Sequence, residues 1–253
     1  MLTRMGMGAE LLLLAIDDRR GGICNSHKVA SALAAAELVE LALDGRIGLS
    51  GAHLMVREMG GVTDPELNSA LLKVSTQQRP LTVEAWLAVR GDLGRVRRYV
   101  LELERAGAVH VDDASKPAAG KDAMVVHIQN GDLSRAAVDR FREVAHGSRA
   151  SIADEAFAAL ADAVGLTHVY LGGLSNRRAR ARLSALTAHR SDPPPEPGRT
   201  ALAIVRAAVR TIAETAARRD SGSEQGGSMA IPLDKQFVMQ PGIQAALHNP
   251  NIP

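Results

Sequence analysis

Apolar positions run in helical stretches over most of the chain, with only short alternating segments, so helices should dominate and strands be a minority. Glu10 to Asp17 predicts a short apolar helix, closed by Asp17-Asp18-Arg19-Arg20-Gly21-Gly22 and a turn. Val29 to Leu43 is rich in Ala, Leu and Val with few polar residues (Ser31, Glu37, Glu40), which predicts a central helix buried on most of its surface. After Asp44-Gly45 the pattern alternates over Arg46-Ile47-Gly48-Leu49. A left-handed helix end at Gly45 is expected, then a strand whose hairpin partner is His53 to Arg57.

Thr63-Asp64-Pro65-Glu66 is a helix start, with a capping side chain and an early proline, for a helix over Leu67 to Val74. Thr82 caps a short helix that carries Trp86 and ends at Gly91, and Arg95 to Arg105 forms another, stopped by Gly107. Val109 to Val111 and Met124 to Ile128 predict a second hairpin, joined by the polar segment Asp112 to Asp122. Asp132 or Ser134 opens a helix closed by Gly147, and Ile152 to Val164 and Arg177 to Thr187 add two more. The proline-rich run Ser191 to Gly198 is read as a linker or long loop, and Ala201 to Ala217 as an amphipathic helix.

These elements predict a mainly α, single globular helical domain over residues 1–218 with short β-hairpins, one projecting after the Arg95 to Arg105 helix. Residues 219–253, rich in Ser, Gly and Gln and then Pro and Asn, are read as a disordered tail in which Ile231 to Met239 could dock. Composition fits: 46% of residues are hydrophobic but only 2% aromatic, so Ala, Leu, Val and Ile must build the core. The single Cys24 forms no internal disulfide, as expected in a reducing cytosol. The run Leu11 to Ile16 is too short to span a bilayer. A net charge of +2 implies neither nucleic acid nor anionic lipid by itself.

One device repeats. Leu38-Val39-Glu40-Leu41 with Gly45-Arg46-Ile47-Gly48-Leu49 matches Val100-Leu101-Glu102-Leu103 with Gly107-Ala108-Val109-His110-Val111, each an apolar helix ending at a glycine that feeds a strand. A helix, a glycine and a hairpin also occur in winged-helix nucleic-acid-binding domains, so two classes of function stay open on fold grounds.

Five strings then carry a family resemblance over roughly Leu11 to Ala217: Glu10-Leu11-Leu12-Leu13-Leu14-Ala15-Ile16-Asp17-Asp18; Glu37 to Ile47; Thr63-Asp64-Pro65-Glu66-Leu67 with Ala70-Leu71; Trp86 after Thr82-Val83-Glu84; and Leu103 to Val109. In order and spacing they resemble the Golgi phosphoprotein 3 family of peripheral membrane proteins, which has many bacterial members. The resemblance implies a largely helical domain with a projecting hairpin. In the eukaryotic branch it also implies a site for the phosphatidylinositol 4-phosphate headgroup, built from a Trp, an Arg on the central helix and two Arg on the helix before the hairpin. The Trp position falls near Asn25 or Ser26 and the first Arg position at Ala34, neither of which binds phosphate by charge or stacking.

Arg95, Arg97 and Arg98 lie on the pre-hairpin helix and are the candidate headgroup contacts; a gapless match places Val96 at one of the family's arginine positions. Arg95 and Arg98 have the i, i+3 spacing that shares a face, and with Val96, Tyr99, Val100 and Leu103 turned to the core the arginines should project outward. Arg177, Arg178, Arg180 and Arg182 spread over a broad arc and suggest only diffuse electrostatics.

Catalytic chemistry finds little to stand on. No two His have i, i+4 spacing, and His110 and His127, facing across the second hairpin, lack a clear third ligand, so no metal is expected. Gly6-Met7-Gly8 follows no strand, Ser50 sits in no nucleophile elbow, and Cys24 near His27 reads as inert. Asp17-Asp18 and Asp112-Asp113 lie at element ends, where solvated carboxylates and caps are the rule. The expectation is a non-enzymatic adaptor without cofactor, of bacterial type, cytoplasmic and peripheral on the cytosolic membrane face. It would engage an anionic, phosphoinositide-like lipid headgroup, with self-association adding avidity. The alternative is a winged-helix-like nucleic-acid-binding regulator using the same arginines.

Overall fold

The computed structural model describes residues 5–112, 125–147, 150–172, 176–186 and 194–223, with side chains as far as residue 218. It is mainly α: ten helices and three two-stranded antiparallel sheets among the described residues. The chain up to Arg218 forms one compact unit.

Helix α1 (Met7–Ala15) starts three residues earlier than its pattern suggests, because its N-terminus is held from outside: the Met7 N–H donates to Glu40 Oε1 at 2.9 Å. Helix α2 (Ser26–Leu43) is the centre of the molecule. It packs on α1, on α3 (Pro65–Ser75), on α4 (Val83–Arg90), on α5 (Leu93–Arg105) and on α7 (Ile152–Val164), which explains why residues 32–39 are all buried. Small residues allow this crowding. On α1, a Cβ at Gly8 would stand 2.6 Å from the Tyr99 hydroxyl of α5, so the glycine is required by close approach.

The remaining helices are α6 (Gly131–His146), α8 (Thr167–Tyr170), α9 (Arg177–Leu186) and α10 (Gly198–Ser223). Caps account for most ends. Asp64 accepts from the Glu66 and Leu67 N–H groups, Thr82 from Ala85 and Asp92 from Arg95, while Ser151 and Asp154 form a reciprocal capping box on α7. The α6 cap is Asn130 rather than Asp132 or Ser134, since its side-chain oxygen accepts from Asp132 and Leu133. Gly198, expected in the linker, begins α10. The Asp112 to Asp122 connection beyond its first residue, residues 191–193 of the Ser191 to Gly198 run, and Ile231 to Met239 lie outside the described residues.

The repeated device is present twice in atomic detail. α2 ends at Gly45 (φ 71°) and α5 at Gly107 (φ 69°), and the next residues, Arg46 and Ala108, donate back to Leu41 O and Leu103 O, each at 2.8 Å. The strands that follow, β3 (Ile47–Ser50) with β4 (His53–Val56) and β5 (Val109–Asp112) with β6 (Val125–Ile128), are closed alike at their bases. Arg57 and Glu58 N–H donate to Arg46 O, and Gln129 and Asn130 N–H donate to Ala108 O.

The turn expected after α1 is instead a small hairpin, β1 (Ile16–Asp17) with β2 (Gly22–Ile23), and it docks on β6. The Val126 N–H donates to Gly21 O at 2.9 Å and the Ile128 N–H to Asp18 Oδ1 at 2.9 Å. Asp18, exposed at an element end as expected, is therefore also a hook on the second hairpin. Replacing it (Asp18→Ala) is expected to raise amide hydrogen exchange at Ile128 about fivefold, the equivalent of one hydrogen bond of about 1 kcal/mol. Unchanged exchange there would show that the hook bears no load.

Candidate functional site

The three arginines of α5 do not share one environment. Arg97 and Arg98 are exposed, but Arg95 is only 1% exposed, so the expected outward projection applies to two of them. The cause is helix geometry. At 100° per residue Arg95 shares the i, i+4 face with Tyr99, and that face is the one buried with Val96, Val100 and Leu103.

A buried cation needs a partner. Arg95 Nη1 lies 2.8 Å from Glu37 Oε1 and also contacts Glu66 Oε2, while Arg90 Nε pairs with Glu37 Oε2 at 2.6 Å. Four charges, two of each sign, thus join α2, α3, α4 and α5. The Arg95–Glu37 approach is not aligned as a hydrogen bond, and Glu37 Oε1 and Arg95 Nε are buried atoms without a hydrogen-bond partner. Burial pushes the Glu37 carboxyl up to about 7, against the opposing pull of Arg95 and Arg90. Burial likewise pushes Glu40 up to about 7, opposed by the Met7 N–H.

Trp86 closes the network. Its ring is fully buried, its indole N–H donates to Ala34 O at 2.9 Å, and the Arg90 guanidinium stands 5.1 Å from the ring centroid. The two positions where the resemblance places a headgroup Trp and Arg therefore have structural work. Ala34 is buried with its carbonyl committed to Trp86, and Asn25, in the left-handed region (φ 50°), donates from its side chain to Val164 O at 2.8 Å.

The outer face of α5 is different. Leu93 and Arg97 share it at i, i+4 spacing, and Leu93 is 44% exposed, as is Val89 at 57% on the preceding helix. Neither Arg97 nor Arg98 pairs with a carboxylate among the described residues. The α4–α5 corner thus offers uncompensated positive charge beside exposed apolar side chains.

Other candidates resolve into structure. Arg182 on α9 turns back to donate to Val144 O. His110 and His127 face each other in register, with Asp112 within 3.4 Å of both. Among the described residues no group of three or more His, Cys, Asp or Glu gathers where a metal ion could be held. A second ion-pair cluster, Arg140 with Glu10 and Asp154, ties α1, α6 and α7 and lies over the Phe157 ring. The sequence signal missed for the main network was Glu37, one acid within an otherwise apolar stretch of α2, which required a cation from another helix.

Among the described residues no helix is long and apolar enough to cross a membrane. The family model described as Golgi phosphoprotein 3 (GPP34) matches residues 7–212, from the first turn of α1 into α10. No curated protein matches the chain.

Proposed function

Since the chain belongs to the Golgi phosphoprotein 3 family, we propose that it is a non-catalytic peripheral binding protein that engages anionic membrane lipid through the outer face of α5. Arg97 and Arg98 are the headgroup contacts in this proposal, with Val89 and Leu93 meeting the interface beside them. Arg95 is assigned a positioning role, fixing α5 on α2 and α3 through Glu37 and Glu66. The observation that carries the reading is the exposure of two unpaired arginines and two apolar side chains at one corner of the fold.

Each basic residue near an anionic bilayer contributes about 1 kcal/mol, so two arginines account for roughly a thirtyfold partition effect. Retention on the cytosolic face then calls for the apolar contact or self-association as well. Sedimentation with vesicles of phosphatidylcholine alone, with phosphatidylserine added, or with phosphatidylinositol 4-phosphate added tests this at low salt. Binding to the anionic vesicles is expected, reduced at least tenfold in the Arg97→Glu/Arg98→Glu double variant. Absence of binding to either anionic vesicle by the unaltered protein would sink the reading.

A further inference from the structure

A second basic feature lies in an open surface cleft of about 390 Å³ between α3 and the end of α4. Arg90 forms its floor, with a side chain only 10% exposed. Its Nε and Nη2 are committed to Glu37, Glu66 and Ser69, but Nη1 has no protein partner among the described residues. Ser69 Oγ accepts from Arg90 Nη2 at 3.4 Å, which leaves the hydroxyl hydrogen to donate. Lys73 and Asn68 line the same cleft from α3, and Lys73 has no carboxylate partner among the described residues. No acidic residue lines it. Leu72, 46% exposed, provides an apolar wall.

We infer that the α3–α4 cleft binds the oxyanion of a phosphate monoester, held by Arg90, Lys73, Ser69 and Asn68, with Leu72 against the organic part of the ligand. The chemistry of the lining argues for this class. Four donors line one groove without a facing carboxylate, and a guanidinium with a free edge next to an ammonium and a hydroxyl matches the oxygens of phosphate. Glu37 and Glu66 sit behind Arg90 and orient it, as supporting carboxylates do for a binding arginine. The same oxyanion could come from a soluble metabolite or from a lipid headgroup. The inference goes beyond the α5 surface and does not rest on it.

Calorimetric titration of the full chain with inorganic phosphate and with glycerol 3-phosphate tests the cleft, beside sedimentation with vesicles containing phosphatidic acid. Lys73 is an exposed side chain outside the buried network, so Lys73→Glu should leave the melting temperature unchanged, while Ser69→Ala, which gives up one exposed 3.4 Å contact with Arg90 Nη2, should lower it only slightly. Saturable binding is expected, tighter for the ester than for inorganic phosphate, and weakened about tenfold or more by Lys73→Glu and several-fold by Ser69→Ala. Binding of phosphatidic acid vesicles that is lost in Lys73→Glu, with no binding of the soluble ester, would assign the oxyanion to a lipid. The Arg97→Glu/Arg98→Glu variant should keep soluble-ester binding and Lys73→Glu should keep phosphatidylserine binding, so the two surfaces can fail separately. Equal ester binding by the unaltered protein and Lys73→Glu, or no saturable binding of any of these probes, would overturn the inference.

Discussion

Arg95→Met is expected to destabilise the protein by about 3–5 kcal/mol at pH 8, and by about 1 kcal/mol less at pH 6. At pH 8 the substitution leaves Glu37, fully buried, with Arg90 as its one remaining cation among the partners seen here. An uncompensated buried charge is among the most damaging single changes a fold can suffer, but a carboxyl can escape by taking a proton. Its level in the intact protein, about 7 against an ordinary 4.5, already favours the neutral form more in the folded state than in the unfolded one. The stability that proton uptake contributes is therefore complete below about 4.5 and is lost as pH rises through about 7. Removing Arg95 takes away the largest opposing pull, which moves the folded value higher and extends the loss into more alkaline solution. Urea unfolding of both proteins at the two pH values gives the comparison, and Glu40, also raised to about 7, is common to both and cancels. A domain of this size would lose on the order of 10 °C in Tm at pH 8. Equal losses at pH 6 and pH 8 would exclude Glu37 as the group responsible.

Trp86→Ala should cost a similar amount, about 4 kcal/mol, with little dependence on pH. The ring is the largest fully buried side chain, and its removal opens a void between α2 and α4 while leaving Ala34 O without its donor. Trp86→Phe separates the two contributions, since it keeps most of the packing and loses the hydrogen bond; a loss of about 1–3 kcal/mol is expected. Urea titrations followed by circular dichroism measure both. A cost below about 1 kcal/mol for Trp86→Ala would mean that α4 does not depend on this contact.

Helices whose ends carry local chemistry were legible from sequence alone. Ile152 to Val164 is observed with the expected bounds because Ser151 caps its start and Gly165, at φ 94°, ends it. The two helix–glycine–hairpin passages were legible for the same reason, since an apolar helical run followed by a left-handed glycine specifies its own exit. What escaped was set by distant partners. The early start of α1 depends on Glu40, the β1–β2 hairpin on pairing with β6, and the burial of Arg95 on Glu37 and Glu66. The i, i+3 relation of Arg95 to Arg98 pointed outward, while its i, i+4 relation to Tyr99 pointed inward. Only the position of α2 decides between them. The candidate surface was thus half legible: Arg97 and Arg98 have the outward exposure expected of them and Arg95 does not, and the α3–α4 cleft, which needs Arg90 and Lys73 from two helices, had no contiguous motif.

The paired clamps at Arg46 and Ala108 bear on how this chain can diverge. Each hairpin is fastened at its root to the residue after a helix-ending glycine, by two N–H groups from the returning strand. Beyond the roots the paired strands are held by the fold as well, the Leu54 N–H donating to Leu81 O and the Val126 N–H to Gly21 O. Lengthening a connection between the last paired residues adds only a slowly growing closure entropy. The two hairpin ends are therefore the places where insertions can accumulate and new partners can be acquired, while the glycines and the helices that carry them are held fixed.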